Sequence, residues 1–351
     1  MVRHTLVVRL DNAGDVLLAG PAVRAVAAGS DRVTLLAGPH GAAAARLLPG
    51  VDEVLEWRCP WIDPELRSVD RADIEALVDL LAGLDLDRAV VLTSFHQSPL
   101  PMALTLRMAG VPWIGAISVD FPGALLDLRH QVDELIPEAE RALSLAVASG
   151  FSLPDGDHGG LAVRRPLPDV SDMVPAGGFV VLHPGTSVPA RGWPVWRSAQ
   201  AVARLEDAGH RVVVTGAPGE RHLTAEVVGE TAATDLGGRT DLAELAAVLD
   251  AADVVVAGNT GPAHLAAAVG TPVVSLFAPT VPPQQWAPYG VPTVLLGDQD
   301  AVCKDTRVTT CPFPGHPCLS GVTAEEVLAA VEQLAGRPAL AAAVTDRRRM
   351  T

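Results

Sequence analysis

Three short segments of the sequence place polar residues where a strand-like run gives way to a helix-like run. The first, Leu10–Asp15, ends in a glycine and a carboxylate just before a helical pattern. Asp15 has two interpretations there: an N-cap that accepts a backbone N–H, or a general base at a strand end. The two are compatible, because a capped carboxylate can keep one oxygen free. The segment lacks the G-x-G-x-x-G spacing of a dinucleotide-binding turn.

The second segment, His183–Trp196, follows another apolar run and precedes another helical pattern. It offers the hydroxyls of Thr186 and Ser187, a flexible glycine backbone and the guanidinium of Arg191. Several short donors and one delocalised cation are what a diphosphate needs. The structural alternative is an irregular loop that ends with Pro194 at the first helical position.

The third segment, Val256–Ala268, contains a buried-strand pattern, the turn Asn259-Thr260-Gly261 and a helix opened by Pro262. Backbone amides around Thr260 and Gly261 would face an anion beyond the helix N-terminus. His264, in the first turn of that helix, is either a hydrogen-bonded structural residue or a ligand-binding one. Two such turns predict a nucleotide-diphosphate ligand in this half of the chain, with Asp15 facing it from the other half.

The elements that would position these turns alternate between short β-branched runs and longer Ala/Leu-rich runs, which is typical of βαβ units and a parallel sheet. In the first half, strands are predicted over 5–10, 32–37, 89–93 and 112–117, and helices over 16–28, 41–47, 71–83, 100–109 and 128–149. In the second half, strands are predicted over 179–183, 211–215, 253–257 and 272–277, and helices over 194–207, 218–230, 241–251, 261–269 and 322–335.

This alternation predicts two doubly wound α/β domains around a cleft, with ligands beyond the C-terminal ends of the strands. The stretch between them is rich in Pro, Gly and Asp and has no sustained periodicity, as expected of a linker. We therefore expect four segments: a domain over 1–150, a linker over 151–178, a domain over 179–336 and a solvated tail over 337–351.

Composition excludes several classes of protein. The 351 residues include 26 Lys or Arg and 41 Asp or Glu, for a net charge of −15, and 49% are hydrophobic. Such a chain is too apolar for disorder and too acidic to bind nucleic acid by bulk electrostatics. The sequence shows no signal peptide and no run long enough to span a membrane. We expect a cytoplasmic protein with at most peripheral membrane contact.

The four cysteines do not form a metal-binding pattern. Cys303, Cys311 and Cys318 fall within 16 residues, with His316 beside the last. A zinc site is conceivable there, but the spacing has no C-x-x-C pair. Free thiols or a redox-sensitive pair are the favoured interpretation, and no metal is expected.

Taken together, the turns resemble those of glycosyltransferase family 9, the ADP-heptose heptosyltransferases of lipopolysaccharide core assembly. The resemblance runs from the first strand to the cysteine-bearing loop. The matching segments, in chain order, are Gly14–Leu17, Ser94–Pro99, Ala109–Pro112, His183–Thr186, Arg191–Pro194, Leu236–Leu242 and Thr260–Leu265.

The resemblance implies a GT-B fold and inverting, metal-independent transfer of a sugar, a heptose or a related one, from an ADP-linked donor bound by the C-terminal domain. Asp15 aligns with the family's proposed base. Donor binding is expected from Thr186, Ser187, Arg191, Asn259, Thr260, Gly261 and His264. The acceptor-side candidates are Asn12, Gly14, His96 and Gln97. No cofactor is expected, since the nucleotide sugar is a substrate.

Two departures from the family pattern concern the donor. Family members commonly carry Lys where Arg191 stands, and Asp where Asn259 stands. Asn259 can still bind sugar hydroxyls but brings no charge, so the sugar need not be the usual heptose.

The acceptor prediction comes from charge. Residues 1–150 hold 20 acids and 12 bases, a net charge of −8. An uncharged or cationic acceptor, such as a small natural product or an envelope glycan, fits that balance better than a phosphorylated lipid core.

The sequence also bears on two other functions. A catalytically silent GT-B scaffold is the main alternative: Asn259 leaves it open and Asp15 argues against it. A sugar-nucleotide epimerase would need several acids and a base around the donor sugar, and the sequence shows no such cluster.

Overall fold

The computed structural model describes residues 2–65, 67–132 and 135–336. The chain divides into two compact units, the first made of Met1–Asp155 and Leu161–Pro166, the second of Gly156–Gly160 and Leu167–Thr351. The crossings between units fall inside the predicted linker 151–178. The predicted tail 337–351 lies outside the described residues.

The first unit is a six-stranded parallel sheet with helical connections. Its strand order is β3-β2-β1-β4-β5-β6, with strands 1 and 4 paired at the centre. The elements are β1 (Val2–Arg9), α1 (Ala13–Leu18), α2 (Gly20–Ala28), β2 (Ser30–Ala37), α3 (Ala42–Leu47), β3 (Glu53–Glu56), α4 (Arg71–Ala82), β4 (Arg88–Val91), α5 (Leu100–Met108), β5 (Trp113–Ile117), β6 (Leu128–His130) and α6 (Glu138–Ala148).

The second unit repeats this architecture. Its strand order, β12-β11-β10-β7-β8-β9, is the same winding, with β7 and β10 at the centre. The elements are β7 (Val180–His183), α7 (Val195–Asp207), β8 (Val212–Gly216), α8 (Arg221–Val228), β9 (Thr234–Gly237), α9 (Leu242–Asp250), β10 (Val254–Gly258), α10 (Gly261–Val269), β11 (Val273–Leu276), α11 (Pro283–Trp286), β12 (Thr293–Leu296), α12 (Pro317–Ser320) and α13 (Ala324–Ala335).

The central strands are buried on both faces. Leu6, Val7 and Val8 of β1 are all at most 1% exposed, and Val254, Val255 and Val256 of β10 are fully buried. Continuous apolar strands of this kind belong inside parallel sheets, because the crossover helices cover both faces. The buried arginine of β1, Arg9, lies at the carboxyl end of the strand, where the chain turns.

The structure corrects several predicted elements. The helix predicted over 128–149 is wrong at its start: Leu128–His130 is strand β6, paired with β5, and the helix begins only after Pro137. The single helix predicted over 16–28 is two helices, since α1 already begins at Ala13 and ends at Leu18. The prediction omits three short strands, β3, β9 and β12, and each of them is an edge strand of its sheet.

Within the described ranges, the helices are all too short or too polar to cross a membrane.

Candidate active site

In the first unit, the ends of β1 and β4 carry a cluster of polar side chains. These adjacent strands mark the point where the strand order reverses, and in open parallel sheets the crevice beyond such a point is where ligands bind. The turn after β1 supplies Asp11, the first turn of α1 supplies Asp15, and the loop after β4 supplies Ser94 and Gln97. The pairing of β1 with β4 therefore brings together residues that are about 80 positions apart in the chain.

Arg9, the last residue of β1, is the centre of this cluster and is only 2% exposed. Its Nη2 donates to Oδ1 of Asp15 at 3.1 Å and to Oγ of Ser94 at 3.0 Å. Its Nε lies 3.0 Å from Oδ2 of Asp11, as an ion pair whose N–H makes no aligned hydrogen bond. One guanidinium thus contacts two carboxylates and a hydroxyl.

Asp15 is the third residue of α1, not its N-cap, so the N-cap interpretation is wrong. The N-cap is Asn12, an exposed residue whose side chain makes no capping hydrogen bond. The Asp15 side chain is 18% exposed and accepts from Arg9. One oxygen of Asp15 is thus bound by a buried arginine, while the side chain stays partly open to solvent.

Gln97 is also part of the cluster. Its Nε2 donates to Oδ1 of Asp11 at 2.5 Å, and its Oε1 accepts from the backbone N–H of Ser94 at 3.1 Å. Burial raises the pKa of Asp11, while the charge of Arg9 opposes that shift. A small pocket lined by Asp11, Gln97, Trp61 and other residues lies at this strand edge. Of the other acceptor-side candidates, His96 is exposed and Gly14 is buried in α1.

A second layer of buried charge lies at the start of α6. Glu138 is 2% exposed and Arg141 is 5% exposed, and Oε2 of Glu138 lies 3.7 Å from Nη1 of Arg141. Arg141 also donates to the carbonyl of Thr93 at 2.5 Å, which fixes the loop after β4. Burial raises the pKa of Glu138, opposed by the charges of Arg9 and then Arg141.

Sequence reasoning missed Arg9, Asp11, Glu138 and Arg141. The available signal was Arg9 itself, a charged residue at the end of the otherwise apolar run Thr5–Leu10. A buried charge at such a position needs a partner.

In the second unit, the predicted phosphate loop and the predicted anion turn are neighbours. They follow β7 and β10, which pair directly, with His183 opposite Ala257. A Cβ added to Gly258 would lie 3.3 Å from the carbonyl oxygen of Arg191. The close approach of the two turns explains the glycine and places their polar groups on one side of the sheet edge.

The phosphate loop is partly held by its own side chains. Oγ1 of Thr186 accepts from the N–H of Val188 at 3.1 Å and approaches its carbonyl at 3.2 Å, so this hydroxyl shapes the loop. Ser187 is exposed, and Arg191 ends the short 3-10 turn Pro189–Arg191. Of the two predicted hydroxyl donors, Ser187 is the more open to a ligand.

His183 anchors the start of this loop. It is 7% exposed, with Nδ1 3.0 Å from Oγ1 of Thr215 and Nε2 3.9 Å from Oε2 of Glu220. Burial lowers the pKa of His183 to about 4 even though Glu220 opposes the shift. Its imidazole is therefore neutral near pH 7.

Two buried polar atoms in and next to the anion turn have no hydrogen-bond partner among the described residues: Nδ2 of Asn259 in the turn and Nδ1 of His264 in α10. Each residue is 4% exposed. They flank the N-terminus of α10, whose N-cap Thr260 makes no side-chain capping bond. Burial, and then the charge of Arg191, lowers the pKa of His264 to about 4. A buried polar group without a partner needs an explanation, and these two atoms are therefore candidates for binding a ligand.

The cysteine-bearing loop packs against the phosphate loop. The N–H of Ala190 donates to the carbonyl of Thr309 at 2.9 Å, and Nε2 of His316 lies 3.0 Å from the carbonyl of Ala190. Burial and the neighbouring Cys303 raise the pKa of Cys318 to about 12. In the part of the chain that the structure describes, no group of three or more His, Cys, Asp or Glu residues could hold a metal ion.

Comparison with known proteins identifies a family. A family profile described as "Glycosyltransferase family 9 (heptosyltransferase)" matches residues 109–316, which is more than half of the chain. Searching curated protein sequences gives no match.

Solved structures share the fold. A glycosyltransferase family 9 protein from Veillonella parvula is 18% identical, with a TM-score of 0.74, and the match covers 95% of this chain and 97% of that one. The E. coli heptosyltransferase WaaC, solved with ADP-2-deoxy-2-fluoro heptose, is 22% identical, with a TM-score of 0.72 and coverage of 94% and 99%.

A more distant structure is the iron-containing dodecameric glycosyltransferase TibC from E. coli, 14% identical, with a TM-score of 0.56 and coverage of 95% and 76%. The two six-stranded parallel sheets and these likenesses confirm the predicted GT-B fold.

The two buried histidines predict a pH dependence of stability. Their pKa of about 4 in the folded protein lies below the unfolded value of about 6.5. Between these values the unfolded chain binds more protons, so stability falls as the pH falls from about 6.5 towards 4. Each histidine should lower the free energy of unfolding by about 1 kcal/mol as the pH falls from about 7.5 to about 5.5.

Urea unfolding of the full-length protein at both pH values measures this loss of stability. His264→Gln should reduce the drop by about half. The control His222→Gln, at an exposed position of α8, should keep the full drop. An equal drop in all three proteins would contradict the burial of a neutral His264.

Proposed function

The chain belongs to glycosyltransferase family 9, the heptosyltransferase family, and we propose that it transfers a heptose or a related sugar from an ADP-linked donor to an acceptor hydroxyl, with inversion and without a metal. The observation that carries this proposal is that each unit gathers polar groups beyond its two central strands, and that the groups of the two units differ in kind. One unit presents a partly open carboxylate held by a buried arginine, and the other presents an anion turn beside an arginine.

The donor is assigned to the second unit. The N-terminus of α10 and Arg191 supply positive potential for the two phosphates. Asn259 and the neutral His264 have buried polar atoms that hydroxyl or phosphate oxygens of the donor would satisfy. Ser187, Thr260 and Gly261 line the same pair of turns, and Thr186 fixes the shape of the phosphate loop.

Asp15 is assigned the role of general base. As the acceptor oxygen attacks the anomeric carbon, its proton passes to the carboxylate and the bond from that carbon to the diphosphate oxygen breaks. Attack and departure on opposite faces invert the anomeric centre. A carboxylate is basic enough for this step, because the hydroxyl becomes acidic as the new bond forms.

The negative charge of the leaving diphosphate would be balanced by the protein. Arg191 and the amides at Thr260 and Gly261 are preorganised donors, and such groups can take the place of a metal ion. The arginine offers a planar fork where the family commonly has lysine, so two phosphate oxygens can be bound at once.

The acceptor is proposed to be uncharged or cationic. The net charge of −8 over residues 1–150 would repel a polyanion. A small natural product or an envelope glycan with free hydroxyls meets this condition.

Asp15→Ala tests the base. Sugar transfer should be abolished because no other group is proposed to take the acceptor proton, while ADP affinity should stay nearly unchanged because the donor is assigned to the other unit. Product formation and calorimetric ADP binding measure the two effects. The matched control is Asp79→Ala, at an exposed position of α4, which should retain full transfer. Unchanged turnover in Asp15→Ala would overturn the base assignment, and transfer by neither Asp15→Ala nor the parent enzyme would favour a silent scaffold.

Arg191→Ala tests the phosphate site. Loss of one preorganised donor should raise the barrier to transfer by about 2.7–4 kcal/mol. It should also weaken ADP binding much more than adenosine binding. Arg204→Ala, which removes a partly exposed arginine of α7, is the control.

The same measurement in EDTA tests metal independence, with unchanged ADP affinity and turnover expected. Equal losses for ADP and adenosine would remove Arg191 from the phosphate site. Loss of turnover in EDTA that added metal restores would show that the enzyme needs a metal.

An acceptor series tests the charge argument. Neutral and amine-bearing acceptors should be used with higher kcat/KM than phosphorylated ones, and the difference should shrink as salt screens the charges. Preference for a phosphorylated lipid core at moderate salt would make this part of the proposal wrong.

A further inference from the structure

The carboxylate cluster of the first unit is organised around a single side chain. Arg9 contacts Asp15, Ser94 and Asp11 with distances of 3.0 to 3.1 Å. It is buried at the end of β1, so its position is fixed by the central strand of the sheet. Its contacts with Asp11 and Asp15 are made through different nitrogen atoms.

We infer that Arg9 is the positioning residue of the transfer reaction: it holds the Asp15 carboxylate in one orientation and supplies the positive charge at the centre of the carboxylate cluster. This inference rests on the proposed function, since it concerns the same base.

The orientation follows from which oxygen is held. Arg9 and Ser94 both approach Oδ1 of Asp15, at 3.1 and 3.5 Å. Because both contacts are made to Oδ1, they also set the direction of Oδ2, which is the oxygen that takes the proton of the acceptor hydroxyl. A base that is misplaced by about 1 Å loses about 100-fold in rate, so this fixation matters for turnover.

The charge state follows from the balance of the surrounding groups. Three buried or partly buried carboxylates, those of Asp11, Asp15 and Glu138, face Arg9 and Arg141, and the exposed His96 acts on Asp11 from outside. Negative groups therefore outnumber the arginines that neutralise them. Without the charge of Arg9, the pKa of Asp11 and of Glu138 would rise further, because Arg9 is the charge that opposes their rise on burial.

The shape of the arginine is as important as its charge. A planar guanidinium presents separate N–H groups in fixed directions, whereas a lysine ammonium is a single point charge. Lysine at position 9 could neutralise the cluster but could not contact Asp11, Asp15 and Ser94 in the same geometry. The two substitutions therefore separate charge from orientation.

The experiment compares Arg9→Met, Arg9→Lys and the control Arg3→Met in the full-length enzyme. Arg3 is an exposed arginine on the same strand. For each protein, kcat and KM are measured across the pH range, together with ADP affinity and the midpoint of thermal unfolding. Because Arg9→Met leaves several carboxylates without their counter-charge, Arg9→Met combined with Asp11→Asn is the second variant, which restores the charge balance.

If Arg9 positions the base, Arg9→Met should lower kcat by about 100-fold with little change in donor KM. The acidic limb of its pH profile should move up by at least about one pH unit. Arg9→Lys should keep the acidic limb near that of the parent enzyme but still lose kcat. Arg3→Met should match the parent in every measurement.

A folded Arg9→Met variant with the parent's kcat and acidic limb would overturn the inference, and so would a folded double variant with the parent's kcat, because the double variant restores charge but not orientation. So would a loss of kcat explained entirely by lower thermal stability, with no change in the pH profile of the folded enzyme. Failure of the proposed function gives a different result: the parent enzyme itself then transfers no sugar from any nucleotide-diphosphate donor, whether or not it binds ADP.

Discussion

All strands of both sheets run in one direction, and this constraint determines where chemistry can occur. A parallel strand must be followed by a crossover, so every strand in these sheets ends at the same edge and passes into a loop before the next helix. The strand interiors are buried and mostly apolar, and polar residues inside them, such as Thr5 and Thr34, are uncharged. Polar residues are therefore collected at the carboxyl edge, and most densely where the order of strands reverses, after β1 and β4 and after β7 and β10.

The two units share a winding but differ in their chemistry. In the first, the strand ends carry full charges that neutralise one another: Arg9 with Asp11 and Asp15, and Arg141 with Glu138. In the second, the ends carry hydroxyls, amides and two histidines kept neutral by burial, with Arg191 beside them. The difference fits the proposed division of roles, because a base must bring its own negative charge whereas a diphosphate brings that charge with it.

Much of this arrangement could be predicted from the sequence because it is local. A strand pattern, a glycine or hydroxyl turn and a helix pattern are adjacent in the chain, so Asp15, Arg191 and the turn at Asn259 could be found there. Which of these turns are neighbours in space depends on the order of the strands in each sheet, and the local patterns do not contain that order. Arg9 escaped detection because its contact with Ser94 depends on the pairing of β1 with β4. Glu138 escaped detection because its charge interaction with Arg9 joins elements more than 120 residues apart. Strand β6 was mistaken for helix since three residues carry too little periodicity, and its identity depends on pairing with β5.

The buried charges of the first unit are hard to explain by stability. Removing two carboxylates and a guanidinium from water is unfavourable, and well-packed apolar residues are often at least as stable as a buried ion pair. Arg9 lies beside residues such as Val8 and Leu10 that fill a core without such charges. A cluster of this kind at a sheet's switch point is more readily explained by what an ionised, oriented carboxylate can do there. The cluster then provides a fixed electrostatic field. Because its charges are held in place by the fold, the surrounding groups need not reorganise when a proton moves.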